Sequence, residues 1–202
     1  MYQRKKAKMN RCMGERIFPE KKLSEARLNQ RPGVHGTSRR RRGGSEYGIQ
    51  LTEKQKVKFT YGLREKQFRA YYEEALTKSE PTPVAFMKQL ESRFDNVVYR
   101  SGLAPTRDMA RQMITHGHIA LNGKKATIPS IQVKIDDVIS YIEKDANKKL
   151  VNSRKEALKD ANVPTWISLD AKKVEAKVMS EPIFDDSNKN YDLSLVVQFY
   201  SR

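Results

Sequence analysis

The side chains best suited to chemistry in this chain are arginines at helical spacing. Arg93, Asn96 and Arg100 lie three or four positions apart, and Arg107 and Arg111 repeat that interval after a short turn. A guanidinium presents a planar fork of N–H donors that matches two phosphate oxygens at once and stacks on an unpaired base. Arginines converging from two helices therefore suit an irregular nucleic-acid backbone. The alternative is a solvated helix face, and charge alone does not separate the two; Lys124 and Lys125 beside the Asn122-Gly123 turn favour the functional one. Thr115-His116-Gly117-His118 sets two histidines two apart without a third or fourth ligand of the right type nearby, so a metal is not expected. His116 belongs to a helix end capped by Gly117, and His118 opens a strand. No nucleophile with its base, phosphate-binding loop or carboxylate pair in a credible pocket is present, which excludes the common enzyme classes.

The elements that must position these groups follow from periodicity. Thr52 with Gln55 three residues later reads as a capping box for a helix interrupted at Tyr61-Gly62. Phe68, Tyr71, Tyr72, Ala75 and Leu76 form the apolar stripe of the next helix, with Arg69 off the stripe. Aromatics at this spacing are core; only Tyr61, at the break, is placed to stack on a base. Thr82 and Pro83 are predicted as N-cap and first residue of one long helix carrying Phe86, Leu90, Phe94, Val97 and Val98 and ending near Gly102. Thr106 caps the helix of Arg107 and Arg111, whose core face is Met109, Ala110, Met113 and Ile114. Strands are predicted at 118–121, 126–128, 131–133, 138–142 and 166–169, with alternation again over 174–178, and Asn122-Gly123 as a hairpin turn. Residues 144–161 suit an exposed helix or linker, and the tail from Tyr191 fits a helix or a strand equally well.

Charge is the strongest bulk signal. The 202 residues hold 40 Lys and Arg against 24 Asp and Glu, a net charge of +16. Residues 1–45 hold 14 basic and three acidic residues, a net of +11, so two thirds of the excess sits in the first quarter of the chain. Mixed charge would suffice for solubility, and a polyanionic partner accounts for the imbalance. Few large apolar residues accompany it, which favours nucleic acid over membrane. Arg39, Arg40, Arg41 and Arg42, between the His35-Gly36 turn and Gly43-Gly44, read as an arginine-rich arm that is disordered alone and ordered on RNA. No apolar run reaches 18 residues and no apolar stretch follows the basic N-terminal residues, so neither a membrane span nor a secretory signal is expected. One cysteine, Cys12, excludes an internal disulfide framework.

Several stretches are also similar to a known family: PGVHG at 32–36, SEYGIQLTEKQKVKFTYGLREKQFRAYY at 45–72, LESRFDNVVYRSGLAPTRDMARQMITHGHIALNGKKATIPS at 90–130, PTW at 164–166 and VVQFYSR at 196–202. In this order they resemble bacterial small-subunit ribosomal protein S-four over nearly the whole chain. The module beginning near residue 90 also occurs in pseudouridine synthases and tyrosyl-tRNA synthetases, but there is neither room nor motif here for their catalytic domains. The resemblance implies an α+β protein, a mostly helical domain with an inserted small RNA-binding module of two turn-linked helices and a mainly antiparallel sheet. It implies a basic extension at 1–45, a helical domain at 46–89 completed by 179–202, and the module with its following strands at 90–178; the tail is then helical. It further implies a cytoplasmic structural constituent of the small ribosomal subunit that binds the five-prime domain of its RNA early in assembly. That constituent lies near the messenger RNA entry channel beside ribosomal protein S-five, and some relatives repress their own message. A regulatory RNA-binding protein acting off the ribosome is the rival. Many relatives carry several cysteines ahead of PGVHG, some holding zinc; with Cys12 alone, neither metal nor other cofactor is expected, and no homo-oligomer. The residues assigned to RNA are Arg31, His35, Arg39 to Arg42, Lys54, Lys58, Tyr61, Arg69, Arg93, Asn96, Arg100, Thr106, Arg107, Arg111, His116, His118, Asn122, Lys124 and Lys125.

Overall fold

Ser45 starts the first long helix, because its hydroxyl accepts the otherwise unpaired N–H of Gly48. In the computed structural model, which describes residues 6–18, 23–37, 45–142, 151, 154–156, 158, 162–182 and 191–202, this helix runs Glu46–Thr60. It follows α1 (Lys6–Met13), α2 (Glu25–Leu28) and a 3-10 turn (Val34–Thr37), and is α3. Thr52 therefore sits inside the helix rather than capping it, and its hydroxyl donates back to the Gly48 carbonyl at 2.7 Å. The capping-box expectation fails because Ser45 begins the helix two turns earlier. α3 ends as predicted at Tyr61-Gly62: Gly62 has φ +61°, and the N–H groups of Gly62 and Leu63 return to the carbonyls of Phe59 and Lys58.

The chain forms two compact units, residues 1–72 with 185–202 and residues 73–184, and α4 (Glu65–Leu76) runs across the division. In the first unit the C-terminal helix (Leu193–Tyr200), capped by Asp192, lies along α3. Tyr200 stacks on Tyr72 with ring centroids 4.9 Å apart and tilts against Phe68, while Tyr47 meets Phe199. A helix satisfies its own backbone, and this seam supplies its apolar cover; an isolated strand there would leave a ladder of polar groups unpaired. Among the described residues of the N-terminal stretch, side chains tie distant backbone segments together. Arg11 donates to the carbonyls of Gln30 and Arg31, Asn10 exchanges two hydrogen bonds with the Phe18 backbone, and a Cβ on Gly36 would lie 1.8 Å from the Arg31 carbonyl oxygen.

In the second unit, α5 (Thr82–Glu91) and α6 (Phe94–Arg100) replace the single helix expected, with Pro81 rather than Thr82 at the cap position. Helix N-termini leave N–H groups unpaired, and here residues 129–133 supply the acceptors: Phe94 N–H donates to Ile131 and Asp95 N–H to Pro129, while Val133 N–H returns to Ser92. That segment spends its backbone on this junction, with one isolated bridge from Gln132 to Arg93, so the strand expected at 131–133 does not form; neither does that at 126–128. α7 (Arg107–Thr115) is capped by Thr106 as expected.

An antiparallel sheet of β1 (Ile119–Leu121), β2 (Lys124–Lys125), β3 (Val138–Tyr141), β4 (Ile167–Asp170) and β5 (Glu175–Val178) runs in the order β2-β1-β3-β5-β4. Phe94, Val97, Val98, Ala110, Met113 and Ile114 from the helices and Ile119, Ile139, Ala176 and Val178 from the sheet make one buried core. Burial raises the Tyr141 phenol to a pKa of about 12, and its hydroxyl donates to the Leu103 carbonyl within this core. Of the linker predicted at 144–161, residues 151, 154–156 and 158 are helical and the rest lies outside the described residues; Leu158 is buried in the core. The architecture is α+β, mostly helical, as the sequence predicted.

Candidate nucleic-acid interface

The junction of α5 and α6 gathers the polar residues that matter. Asp95 accepts Nε and Nη2 of Arg93 at 3.0 and 2.8 Å, and Nε and Nη2 of Arg111 at 3.0 and 2.6 Å. Glu91 accepts Nε and Nη2 of Arg100 at 3.0 and 2.8 Å and Nδ2 of Asn96 at 2.7 Å. Asn96 Oδ1 in turn accepts Nε of Arg107 at 2.8 Å, and the Arg107 guanidinium lies 4.4 Å from the centre of the Tyr99 ring. All five predicted residues of the helix pair are thus brought together, with two carboxylates among them.

They do not all reach the surface. Arg93 and Asn96 are 3% and 1% exposed, whereas the side chains of Arg100 and Arg111 are 37% and 23% exposed and Arg107 is half-buried. As direct contacts Arg93 and Asn96 are corrected: the break at Ser92 turns them inward, where buried polar groups need partners and find them in Asp95 and Glu91. Thr106 spends its hydroxyl on the Met109 N–H at 3.2 Å. Glu91 and Asp95 were missed altogether. No local helical spacing links Glu91 to Arg100 once a break intervenes, and nothing in the sequence marks that break.

The hairpin turn falls at Asn122-Gly123 as predicted, but the strand after it is Lys124–Lys125 rather than 126–128. Asn122 and Gly123 both have positive φ, 51° and 74°, and Lys124 and Lys125 on β2 are exposed. Asn122 is tied down: its Nδ2 donates to Asp137 and its Oδ1 accepts the Val138 N–H at 2.8 Å. Gly117, at φ +69°, closes α7 with its own N–H on Ile114 and that of His118 on Met113. A Cβ there would lie 2.1 Å from Lys125 Cε, so the glycine admits the lysine over the negative end of the α7 dipole. His116 is exposed and His118 half-buried, with ring centroids 6.0 Å apart. Among the described residues no group of three or more His, Cys, Asp or Glu is arranged to hold a metal ion.

In the first unit the basic residues hold the fold. Lys54 and Lys58 donate to the two oxygens of Glu65 at 2.8 and 2.6 Å, Tyr200 donates to Glu65 at 2.7 Å, and Lys54 Nζ lies 4.5 Å from the centre of the Phe199 ring. Partial burial works against the Glu65 carboxylate, but these three hydrogen bonds outweigh it and hold its pKa down to about 2. Burial, then the bond to Glu65, push the Tyr200 phenol well above its ordinary range. Lys54, 5% exposed, and Tyr61, 1% exposed, are core residues and are corrected as contacts. The Tyr61 hydroxyl lies 3.5 Å from that of Tyr191, because the turn at Gly62 folds the ring under the helix instead of outward. Arg69 and Arg31 are exposed, and the Arg31 carbonyl accepts Nη2 of Arg11 at 3.2 Å. The His35 side chain and Arg39 to Arg42 lie outside the described residues.

Two known families match the chain in tandem. Residues 1–91 match the Ribosomal protein S4/S9 N-terminal domain and residues 92–139 the S4 domain. The chain is 40% identical over 195 residues to small ribosomal subunit protein uS4 of Chloroherpeton thalassium, covering 96% of each chain. It is 42% identical over 189 residues to that of Thermus thermophilus, covering 94% of this chain and 90% of the relative. Over 158 residues it is 47% identical to that of Fusobacterium nucleatum, covering 78% and 80%. The chain belongs to the uS4 family of ribosomal proteins. That family is structural rather than enzymatic, and in this uS4 member the S4-domain match begins at Ser92, the residue at which α5 gives way to α6. The compact unit starts earlier, at Glu73, and so takes in α5, which contributes Glu91 to the arginine network.

Proposed function

We propose that this protein is a structural constituent of the small ribosomal subunit that fixes ribosomal RNA through the surface arginines of α6 and α7 and the lysines of the β1–β2 hairpin. The observation that carries the reading is the network itself, which delivers Arg100, Arg107 and Arg111 from two helices to one face in fixed orientations. Guanidinium groups so held match phosphates whose spacing is set by a folded RNA, and the exposed Lys124 and Lys125 add charge without geometry. Within the subunit we assign the protein to the five-prime domain of the RNA, beside the messenger RNA entry channel and ribosomal protein S-five, with Arg39 to Arg42 as the arm toward the channel. A cytoplasmic location follows from that assignment; among the described residues no helix is long and apolar enough to cross a membrane.

Sedimentation tests the reading. The protein should travel stoichiometrically with small subunits after a high-salt wash, and the logarithm of its affinity for the five-prime domain RNA should fall linearly with the logarithm of salt concentration. Release from subunits in that wash would favour a translational repressor acting off the ribosome.

A further inference from the structure

Two carboxylates stand inside a surface proposed to bind a polyanion, and charge alone gives no reason for them. We propose that Glu91 and Asp95 are positioning residues of the RNA-binding face: they act on RNA through the arginines they orient. The inference rests on the functional reading above and concerns how that same face recognises its ligand.

The geometry carries it. Asp95 is 2% exposed and Glu91 7%, so neither is a solvated charge diluting the face from outside. Each receives a two-pronged guanidinium that reaches the surface, Arg111 on Asp95 and Arg100 on Glu91, and each also receives a buried group, Arg93 on Asp95 and Asn96 on Glu91. Asn96 extends the reach of Glu91 to a third surface arginine, because its Nδ2 is committed to Glu91 while its Oδ1 takes Arg107. Tyr99 closes that position from the ring side. Four arginines against two carboxylates leave the array net positive, yet every surface guanidinium has its Nε fixed by a buried or part-buried acceptor.

An unsupported arginine samples many rotamers and is ordered only when RNA arrives, which subtracts from affinity and blurs register. Crowded guanidinium groups also repel one another, and a shared carboxylate offsets that repulsion. Preorganisation raises affinity for the RNA whose phosphates match the array and does nothing for an RNA whose phosphates do not. A pure charge account predicts the reverse: removing an acid from the face raises the net charge by one and strengthens binding to every RNA.

Glu91→Gln separates the two. The substitution keeps shape, removes the charge, and acts on Arg100, which reaches the surface. Affinities at one fixed salt concentration should be compared for the five-prime domain fragment of small-subunit ribosomal RNA and for poly(U), with thermal melting to confirm the fold. Positioning predicts a loss of about tenfold on the folded fragment with poly(U) affinity unchanged or raised, so the specificity ratio falls. Asp95→Asn should fall further, but it strips the buried Arg93 of its carboxylate and is read only if it melts above the assay temperature. Equal or tighter binding of the folded fragment by Glu91→Gln overturns the proposal. Arg107→Ala with Arg111→Ala distinguishes the failures. If that pair leaves fragment binding unchanged, the RNA reading of the face is itself wrong. If it weakens binding while Glu91→Gln does not, the reading stands and the positioning role falls.

Discussion

Four arginines at the α6–α7 pair, Arg93, Arg100, Arg107 and Arg111, and two lysines on the β1–β2 hairpin lie in the same compact unit, and the fold treats them in opposite ways. The arginines are held by the buried side chains of Glu91, Asp95 and Asn96, with donor-acceptor distances between 2.6 and 3.0 Å, and Arg93 is itself buried. Lys124 and Lys125 stand on a two-residue strand at the sheet edge, exposed, on four-carbon stems. Held charge reads a fixed pattern of phosphates, while loose charge attracts any phosphate.

The comparison breaks most decisively at Arg107 and Arg111. Replacing both by Ala should lower affinity for the five-prime domain RNA by about a hundredfold, since two charge-assisted hydrogen-bonding groups are lost at roughly tenfold each. Filter binding at fixed salt measures it, and a loss equal to that of the lysine pair would erase the distinction. Gly117→Ala tests the lysines by moving one without removing its charge. The positive φ costs about 1 kcal/mol, and the Lys125 side chain must move away from the added Cβ, so thermal melting should detect a destabilised unit. RNA affinity should change less than about twofold, because a flexible ammonium needs no fixed address.

An effect on affinity smaller than that of the arginine pair, though larger than that of Gly117→Ala, is expected when Lys124 and Lys125 both become Ala. Affinity should drop by about fivefold, equally for matched and unmatched RNA, and the salt dependence should flatten by about one phosphate per lysine. A selective loss on the folded fragment would show that the hairpin reads sequence or shape. The smallest effect concerns the ion pairs of the other unit, where Lys54 and Lys58 support the fold. Glu65 has its pKa lowered to about 2, so its contribution to stability is complete above its ordinary unfolded value of about 4.3 and is lost as pH falls through about 2. Acid titration followed by circular dichroism should therefore show Glu65→Gln with less loss of stability between about pH 4.5 and 2 than the parent.

Much of this was legible in the chain. Thr106, Gly117 and the Asn122-Gly123 turn specify their local geometry by side-chain chemistry and φ, so the start and end of α7 and the hairpin turn could be placed to the residue. The clustering of Arg93, Asn96, Arg100, Arg107 and Arg111 also followed from helical spacing. Their division into buried and surface groups did not. It depends on the break at Ser92, and that break exists because residues 129–133, some forty positions away, offer carbonyls to Phe94 and Asp95. Tyr61 and Lys54 misled for a related reason: a break and a charge both suggest exposure, and each is covered here by the C-terminal helix region through Tyr191 and Phe199.

By itself the sequence determined the charge imbalance, the Thr106 cap and the turns at Gly62, Gly117 and Asn122-Gly123, because these depend on residue chemistry and on neighbours within a turn or two. Only the tertiary structure decided which cations are tools and which are supports. A guanidinium at helical spacing becomes one or the other according to whether the break at Ser92 turns it inward, where a charge is too costly to leave unpaired, or leaves it at the surface.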